Sequence, residues 1–404
     1  MNIRALTGFL DPGWPLESRR IASLAGILKT ARAQLEAAGY PVQTLRLATP
    51  PPVEMSRPVP PNERADLAGK LEAECFVNGI DYASIGPALP DESGGLAAVP
   101  DILGATENVF TSAIFSDPES GLSAAAARGC AQAIRDVSRL SPDGFSNLRF
   151  AALANVPPGS PFFPAAYHGG GEPAIAVATE AAELAVDAMR EVSSLGTARR
   201  RLVGMIDAHA AALTRPLQTL AAENEIRFLG IDFSLAPFPD HFRSIGTAIE
   251  AIGATVAGRG GTLTAVAFLA DCLERAQFRR TGFCGIFLTV LEDETLASRA
   301  ADGDLTVNDL LLFSAVCGAG LDAVPLPGDS SVDGLTGVLL DLGALALRLN
   351  KPLTARLMPI PGKSAGDEVH FDFAYFADSR VIPLRESPLG ELLRGGLLDL
   401  APRG

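Results

Sequence analysis

Apolar and polar positions alternate along this chain between a period of two and a helical period, and the alternation is regular enough to predict elements. Ile3 to Leu10 reads as a short strand and Glu17 to Ala38 as an amphipathic helix ended by Gly39. Further β-rich runs fall at Leu45 to Leu47, Tyr82 to Ile85, Val109 to Phe115, Leu148 to Leu153, Arg227 to Phe233, Phe283 to Val290, Leu321 to Val324, Thr354 to Met358 and Val369 to Phe376. Helical patterns occupy Leu122 to Leu140, Glu180 to Val192, Ala198 to Ala222, Phe242 to Ile252, Leu263 to Phe278, Val307 to Val316 and Val332 to Leu349. A βαβα rhythm of this kind predicts an α/β fold, a parallel sheet covered by helices, either doubly wound or closed into a barrel. The last run, Val369, Phe371, Phe373 and Tyr375 between polar neighbours, predicts a half-exposed edge strand. Pro50, Pro51, Pro52, Pro58, Pro60 and Pro61 rule out regular structure over 49–62, which reads as a surface excursion from a single α/β domain.

Composition narrows the function classes. The chain has 404 residues, 48% of them hydrophobic, ample for a large core. Its longest apolar runs stop well short of the roughly 20 residues of a membrane helix. Met1 to Pro15 lacks the apolar region of a secretory signal, so a cytoplasmic protein without a membrane partner is the default. A net charge of -14 opposes nucleic-acid binding, and Arg199-Arg200-Arg201 reads as a solvated helix face. Five cysteines scattered singly suggest reduced thiols rather than a disulfide framework or a zinc site. The expected partner is a small-molecule ligand, and a homo-oligomer is compatible with the sequence.

Three familiar motifs are imitated and fail on context. Gly318-Ala-Gly-Leu-Asp-Ala323 has dinucleotide-fingerprint spacing, but a helical stretch precedes it and Val324-Pro-Leu-Pro327 follows where a helix must start. Gly362-Lys-Ser lacks the glycine of a P-loop five positions earlier, where Leu357 stands. Gly362 to Gly366 imitates a nucleophile elbow and His168 to Gly171 an oxyanion-hole segment, yet no helix follows the serine.

What survives is a set of loops rich in Gly, Pro and charge. His168 and Glu172 flank three glycines, so backbone at Gly169 and Gly170 can approach a ligand beside an imidazole and a carboxylate. That pair could transfer protons or hold a divalent metal ion, or be a plain surface ion pair. Asp293, in Glu292-Asp-Glu294 just past an apolar run, is a strand-end ligand or a helix N-cap. Cys317 to Asp329 packs a thiol, Asp322 and Asp329 among glycines and prolines. Cys317 is a nucleophile only if a neighbouring cation or base lowers its pKa, and otherwise an inert buried thiol. Lys363 is a candidate anion contact.

Six ordered segments carry a family resemblance: Ile3 to Gly8, Tyr167 to Pro173, Gly260-Gly-Thr262, Thr281 to Phe287 with Glu292 to Glu294, Cys317 to Asp329, and Asn350 to Asp367. In this order they resemble the domain of unknown function 711 family, also called uncharacterised protein family 0210. The resemblance implies a ten-stranded α/β barrel like that of pyruvate formate-lyase, with helices outside and an inserted loop, placed here at Cys317 to Asp329. It brings no settled activity. The C-terminal Leu392 to Asp399 lacks a glycyl-radical context, so radical chemistry is not expected. The combined expectation is an enzyme, a hydrolase or a lyase, acting on a small anionic metabolite by acid/base or metal-assisted chemistry. His168, Glu172, Asp293, Cys317 and Asp322 would be catalytic, and Gly169, Gly170, Thr262, Asp329 and Lys363 would bind substrate. The competing expectation is a non-catalytic metabolite-binding or scaffold protein.

Overall fold

The computed structural model of the chain describes residues 1–402. In chain order the strands and α-helices are β1 (Asn2–Phe9), α1 (Ser18–Ala37), β2 (Val42–Ala48), α2 (Arg64–Val77), β3 (Tyr82–Ala88), α3 (Val99–Gly104), β4 (Val109–Asp117), β5 (Gly121–Ser123), α4 (Ala124–Ser138), β6 (Phe150–Ala154) and β7 (Ala174–Glu180). They continue with α5 (Ala182–Met189), α6 (Leu195–Glu223), β8 (Arg227–Asp232), α7 (Ile245–Ile252), α8 (Thr262–Arg275), α9 (Glu294–Ala301), α10 (Val307–Ser314), β9 (Gly320–Pro327), α11 (Val332–Leu349), β10 (Leu353–Ile360), β11 (Glu368–Val369), β12 (Ser379–Arg380) and β13 (Leu397–Leu398). Fold class is as expected: α/β, with a large, mostly parallel sheet.

The sheet runs β8-β7-β1-β2-β3-β4-β6-β10-β9, with β5 and β13 attached beside β4. The neighbours from β1 to β4, and β4 with β6, pair in parallel. Antiparallel joins at β1/β7 and β6/β10 attach the outer parallel pairs β7/β8 and β10/β9. Helices cover one face, α1 over β1 and β2, and α4 and α11 over β4 and β6. The approach of α1 is close enough that a side-chain carbon on Gly8 would come within 2.7 Å of Leu24.

The opposite face carries the connection between β6 and β7. Its residues from Ser160 to His168 are all buried, an unusual state for a loop. Sheet hydroxyls hold it: Thr7 donates to the Pro161 carbonyl (3.2 Å) and Ser84 to that of Ala166 (2.9 Å). Phe162 meets Phe283 and Phe287, and Phe163 meets Phe110.

Three expectations are corrected. The buried loop against the sheet is this 155–173 connection, and Cys317 to Asp329 is not an inserted loop. There Gly320 to Pro327 form β9 instead, with Pro325 and Pro327 tolerated because β9 ends the ladder. The expected ten-stranded barrel is not observed as a closed ladder. Between β8 and β9 lies 279–290, which has isolated bridges at Arg280 and Ile286 and one bond from Val290 N–H to the Asp322 carbonyl (3.2 Å). The reason is local. Gly282 and Cys284 have positive φ, and the Asp232 carboxylate takes the amides of Phe283 (3.0 Å) and Cys284 (2.8 Å) that a ladder would use.

The expected strand over Val369 to Phe376 reduces to the β11/β12 pair. Its aromatic residues gather on Phe145 instead, with ring centroids 5.1 to 6.1 Å away. Within 49–62, Thr49 to Pro52, Met55 and Val59 are buried, while Glu54, Ser56 to Pro58, Pro60 and Asn62 are exposed. Unforeseen elements include α2, α3 and β7, besides the short strands β5, β12 and β13.

Candidate anion-binding site

Where β1 to β4 enter the sheet, and beneath Phe162 and Phe163 of the 155–173 connection, a cavity of about 400 Å³ opens. Four arginines line it, Arg4, Arg46, Arg149 and Arg356, with two carboxylates, the buried Glu292 and the exposed Glu107. Its apolar wall is aromatic, contributed by Tyr82, Phe110, Phe145, Phe373 and Tyr375 besides the two loop phenylalanines.

Two backbone irregularities aim the charged groups. Pairing of β1 with β7 slips between Ile3 and Ala5, leaving Arg4 as the extra residue. On β9, Asp322 and Ala323 together oppose Arg356, and Ala323 takes φ +46°. Such bulges redirect side chains that regular alternation would place elsewhere. Asp322 thereby accepts two hydrogen bonds from Arg356, from Nε at 2.6 Å and Nη2 at 2.9 Å. The Glu292 carboxylate lies between Arg356 (2.7 Å) and Arg4.

Glu292, Arg4 and Arg356 are held in their charged forms, whereas burial, reinforced by Glu292, pushes the Asp322 carboxyl above its usual range despite Arg356. Burial works to neutralise Glu292, but Arg4 and Arg356 outweigh it and hold its pKa below the usual carboxylate range. Burial likewise opposes the charge of Arg356, and Asp322 and Glu292 outweigh it, raising its pKa. Arg4 is raised too, with Glu292 and Glu180 overcoming burial. Two guanidiniums, Arg4 and Arg356, thus meet two carboxylates here, Glu292 and Asp322.

Arg46 is half-buried and pairs with no carboxylate among the described residues. Among the described residues only its Nε is bonded, to Thr44 Oγ1 at 2.8 Å. Its guanidinium carbon sits 5.0 Å from the Phe163 ring centroid and 5.8 Å from that of Tyr82, its register partner on β3. Burial, reinforced by the charge of Arg4, pushes its pKa down to about 10. Arg149 also pairs with no carboxylate among the described residues. Its Nη1 and Nη2 donate to the Thr106 (2.7 Å) and Leu103 (2.9 Å) carbonyls. The site is therefore an electropositive, aromatic-walled pocket with an unspent guanidinium fork.

Of the ten residues singled out from sequence, none lines this cavity, and Asp322 alone reaches it, through Arg356. His168 is buried with Nε2 unpartnered among the described residues, whereas Glu172 is exposed and only its carbonyl is engaged, by Arg227 at 3.1 Å. Gly169 and Gly170 sit beside His168, and Gly169 is close enough to Pro158 that a side-chain carbon there would meet it at 2.8 Å. Asp293 caps α9 through Leu296 N–H (2.9 Å) and also accepts from Ser244 Oγ and the amides of Ile245 and Gly246 at the start of α7. Cys317 is buried at the end of α10, and burial raises its pKa despite Lys351 nearby. Thr262 opens α8 and accepts Gly258 N–H (3.0 Å). Asp329 and Lys363 are exposed on adjacent turns, where the Lys363 carbonyl accepts Gly328 N–H. Among the described residues, no three His, Cys, Asp or Glu side chains are arranged to hold a metal ion.

Sequence reading did not single out Arg4, Arg46, Arg149 or Arg356 as site residues. The available signal was an arginine inside a strand whose neighbours are apolar, as in Leu353-Thr-Ala-Arg-Leu-Met358 and Leu45-Arg-Leu47. A buried strand accepts a guanidinium only where a carboxylate or a ligand receives it.

Fold and cavity together define an α/β protein with an arginine-rich, aromatic-walled pocket across its sheet. The chain belongs to the family described as Uncharacterised ACR (DUF711), whose model matches residues 13–375. It is 30% identical over 367 residues to a UPF0210 protein of Pyrobaculum islandicum, covering 85% of this chain and 80% of the relative. A UPF0210 protein of Clostridium perfringens is 27% identical over 361 residues, with the same coverages. One from Neisseria meningitidis serogroup B is 24% identical over 374 residues, covering 89% and 83%. These names state no activity. Among the described residues no helix is long and apolar enough to cross a membrane.

Proposed function

We propose that this protein binds a small organic anion, a carboxylate or phosphate carried on a flat apolar body, in the arginine cavity. One observation carries the reading: Arg46 holds a positive charge inside a mostly apolar wall, with both terminal nitrogens unengaged by protein. A half-buried charge left unmatched by the fold carries a desolvation cost, and an anionic ligand recovers it through charge-assisted hydrogen bonds. The aromatic walls suit a flat ring, and the volume falls within the range of small-ligand pockets. Binding is favoured over acid/base catalysis because Glu292 is clamped between two arginines and offers no lone acid or base beside the ligand. In this reading Arg46 makes the primary contact, Arg4 and Arg356 keep the floor positive, and Tyr82 and Phe163 orient the guanidinium.

The finer fold reading is that the sheet wraps into a barrel around the 155–173 connection, with 279–290 closing the gap between β8 and β9. Its support is the set of backbone bonds that segment makes to both edge strands. The functional test is a thermal-shift screen of aromatic and alkyl carboxylates and phosphates, since a ligand that binds only the folded state raises the melting temperature. Stabilisation by ring-bearing anions, abolished in Arg46→Met, is expected; stabilisation that survives this substitution would refute the assignment.

A further inference from the structure

Part of the wall of the arginine cavity is a strap, Phe371 to Phe376, whose Phe373 and Tyr375 line it. The strap packs on Phe145 before β6 and on Phe238 after β8, residues from opposite halves of the sheet. It thereby brings a second phenol to the cavity, which already holds Tyr82 of β3. Both phenol oxygens bear on the Arg46 guanidinium and favour its charged form against burial.

Each ring is packed without the use of its oxygen. Tyr82 meets Phe110 edge-on, with centroids 5.4 Å apart, and Tyr375 meets Phe238 at 5.6 Å and Phe373 at 5.3 Å. Phenylalanine would make the same contacts. Yet both positions carry a hydroxyl, and neither hydroxyl bonds a protein atom among the described residues. Both stay open to the cavity, unlike Ser112 Oγ and Thr289 Oγ1, which are sealed off without a partner. Burial raises the Tyr82 pKa, so its hydroxyl keeps its proton and can donate it.

These donors discriminate between oxyanions. A carboxylate set on the Arg46 fork engages both of its oxygens there. A phosphate monoester can set two oxygens on the fork and still present a third outside the guanidinium plane, where the phenol O–H groups are the unspent donors. We infer that the ligand of the arginine cavity is a phosphate monoester carried on a flat ring, and that Tyr82 and Tyr375 complete the oxyanion contact that Arg46 begins. This inference rests on the anion reading above and narrows it to one class.

The test is calorimetric titration of phenyl phosphate and phenylacetate into the full chain at about pH 7.5, where the phosphate is mostly a dianion. Phenyl phosphate should bind about tenfold or more tightly than phenylacetate. A dianion gains on charge alone, so the tyrosines are tested separately. Tyr82→Phe and Tyr375→Phe should each weaken phenyl phosphate about fivefold or more and leave phenylacetate within about twofold, with unliganded melting temperatures unchanged because the ring packing is kept. Equal wild-type affinity for the two ligands, or a wild-type ratio in both variants, would overturn the inference; if Arg46→Met still weakened both ligands, the anion reading would stand. A wild-type ratio in one variant would remove that tyrosine from the contact. Binding of neither ligand would overturn both readings.

Discussion

Arg46 lies over the ring of Phe163, its guanidinium carbon 5.0 Å from the centroid, and the two come from opposite layers of the molecule. Arg46 belongs to the sheet and Phe163 to the connection packed against it. The contact covers one face of the guanidinium, and its terminal N–H groups bond no protein atom among the described residues. The fold bears a cost to keep those groups available.

That cost is measurable. Arg46 is depressed to about 10 by burial and by Arg4, so its charged form is less favourable folded than unfolded. Arg46→Met should therefore stabilise the unliganded protein by on the order of 1 kcal/mol, seen as a higher denaturant midpoint. A loss of more than that amount would show that Arg46 supports the fold through contacts rather than serving a ligand.

The Arg356 clamp should behave oppositely. Removing one partner of a buried ion cluster leaves its carboxylates uncompensated, so Arg356→Met is expected to cost about 3–5 kcal/mol. Restoring neutrality in Arg356→Met with Asp322→Asn should recover part of the loss in a double-mutant cycle. Additive losses would show that Asp322 and Arg356 do not act as a pair.

Acid unfolding should report Glu292. Its folded pKa lies below its ordinary 4.5, so its contribution is complete above that value and is lost as pH falls through the folded pKa. Stability followed by urea denaturation between pH 6 and pH 3 should fall less steeply with pH in Glu292→Gln than in the wild type. Identical slopes would contradict the clamp.

Asp293 separates a structural from a chemical role. It ties the starts of α7 and α9 together, so Asp293→Ala should destabilise by about 2 kcal/mol or more, the sum of a lost cap and unsatisfied amides. Ligand binding in the arginine cavity, followed by calorimetry on the folded variant, should remain within twofold of wild type.

How much of this was legible beforehand follows from what sequence signals encode. The period-two and helical patterns located β1, β8, α1 and α11 within a residue or two, because burial on one face imposes those periods. β7 escaped, since Ala174-Ile-Ala-Val-Ala-Thr-Glu180 is small and apolar on both faces. Phe283 to Val290 misled because its amides are taken by the side chains of Asp232 and Ser234, 51 residues away, a competition no local pattern records. The site escaped for a related reason. Loops dense in Gly, Pro and charge drew attention to His168, Cys317 and Asp329, whereas Arg4, Arg46 and Arg356 sit within strands, with bulges at Arg4 and opposite Arg356. Such bulges are properties of strand pairing, visible only once β1 lies against β7 and β9 against β10.

The most direct test of the anion site is calorimetric titration of benzoate, phenylacetate and phenyl phosphate into wild type and Arg46→Met at pH 7.5, repeated with wild type above pH 10. At least one ring-bearing anion should bind the wild type with a dissociation constant below about 1 mM. The affinity should fall about tenfold or more in Arg46→Met and decline as pH rises past about 10, where unliganded Arg46 gives up its proton. Failure of all three anions to bind, or equal affinity in wild type and Arg46→Met, would contradict the account.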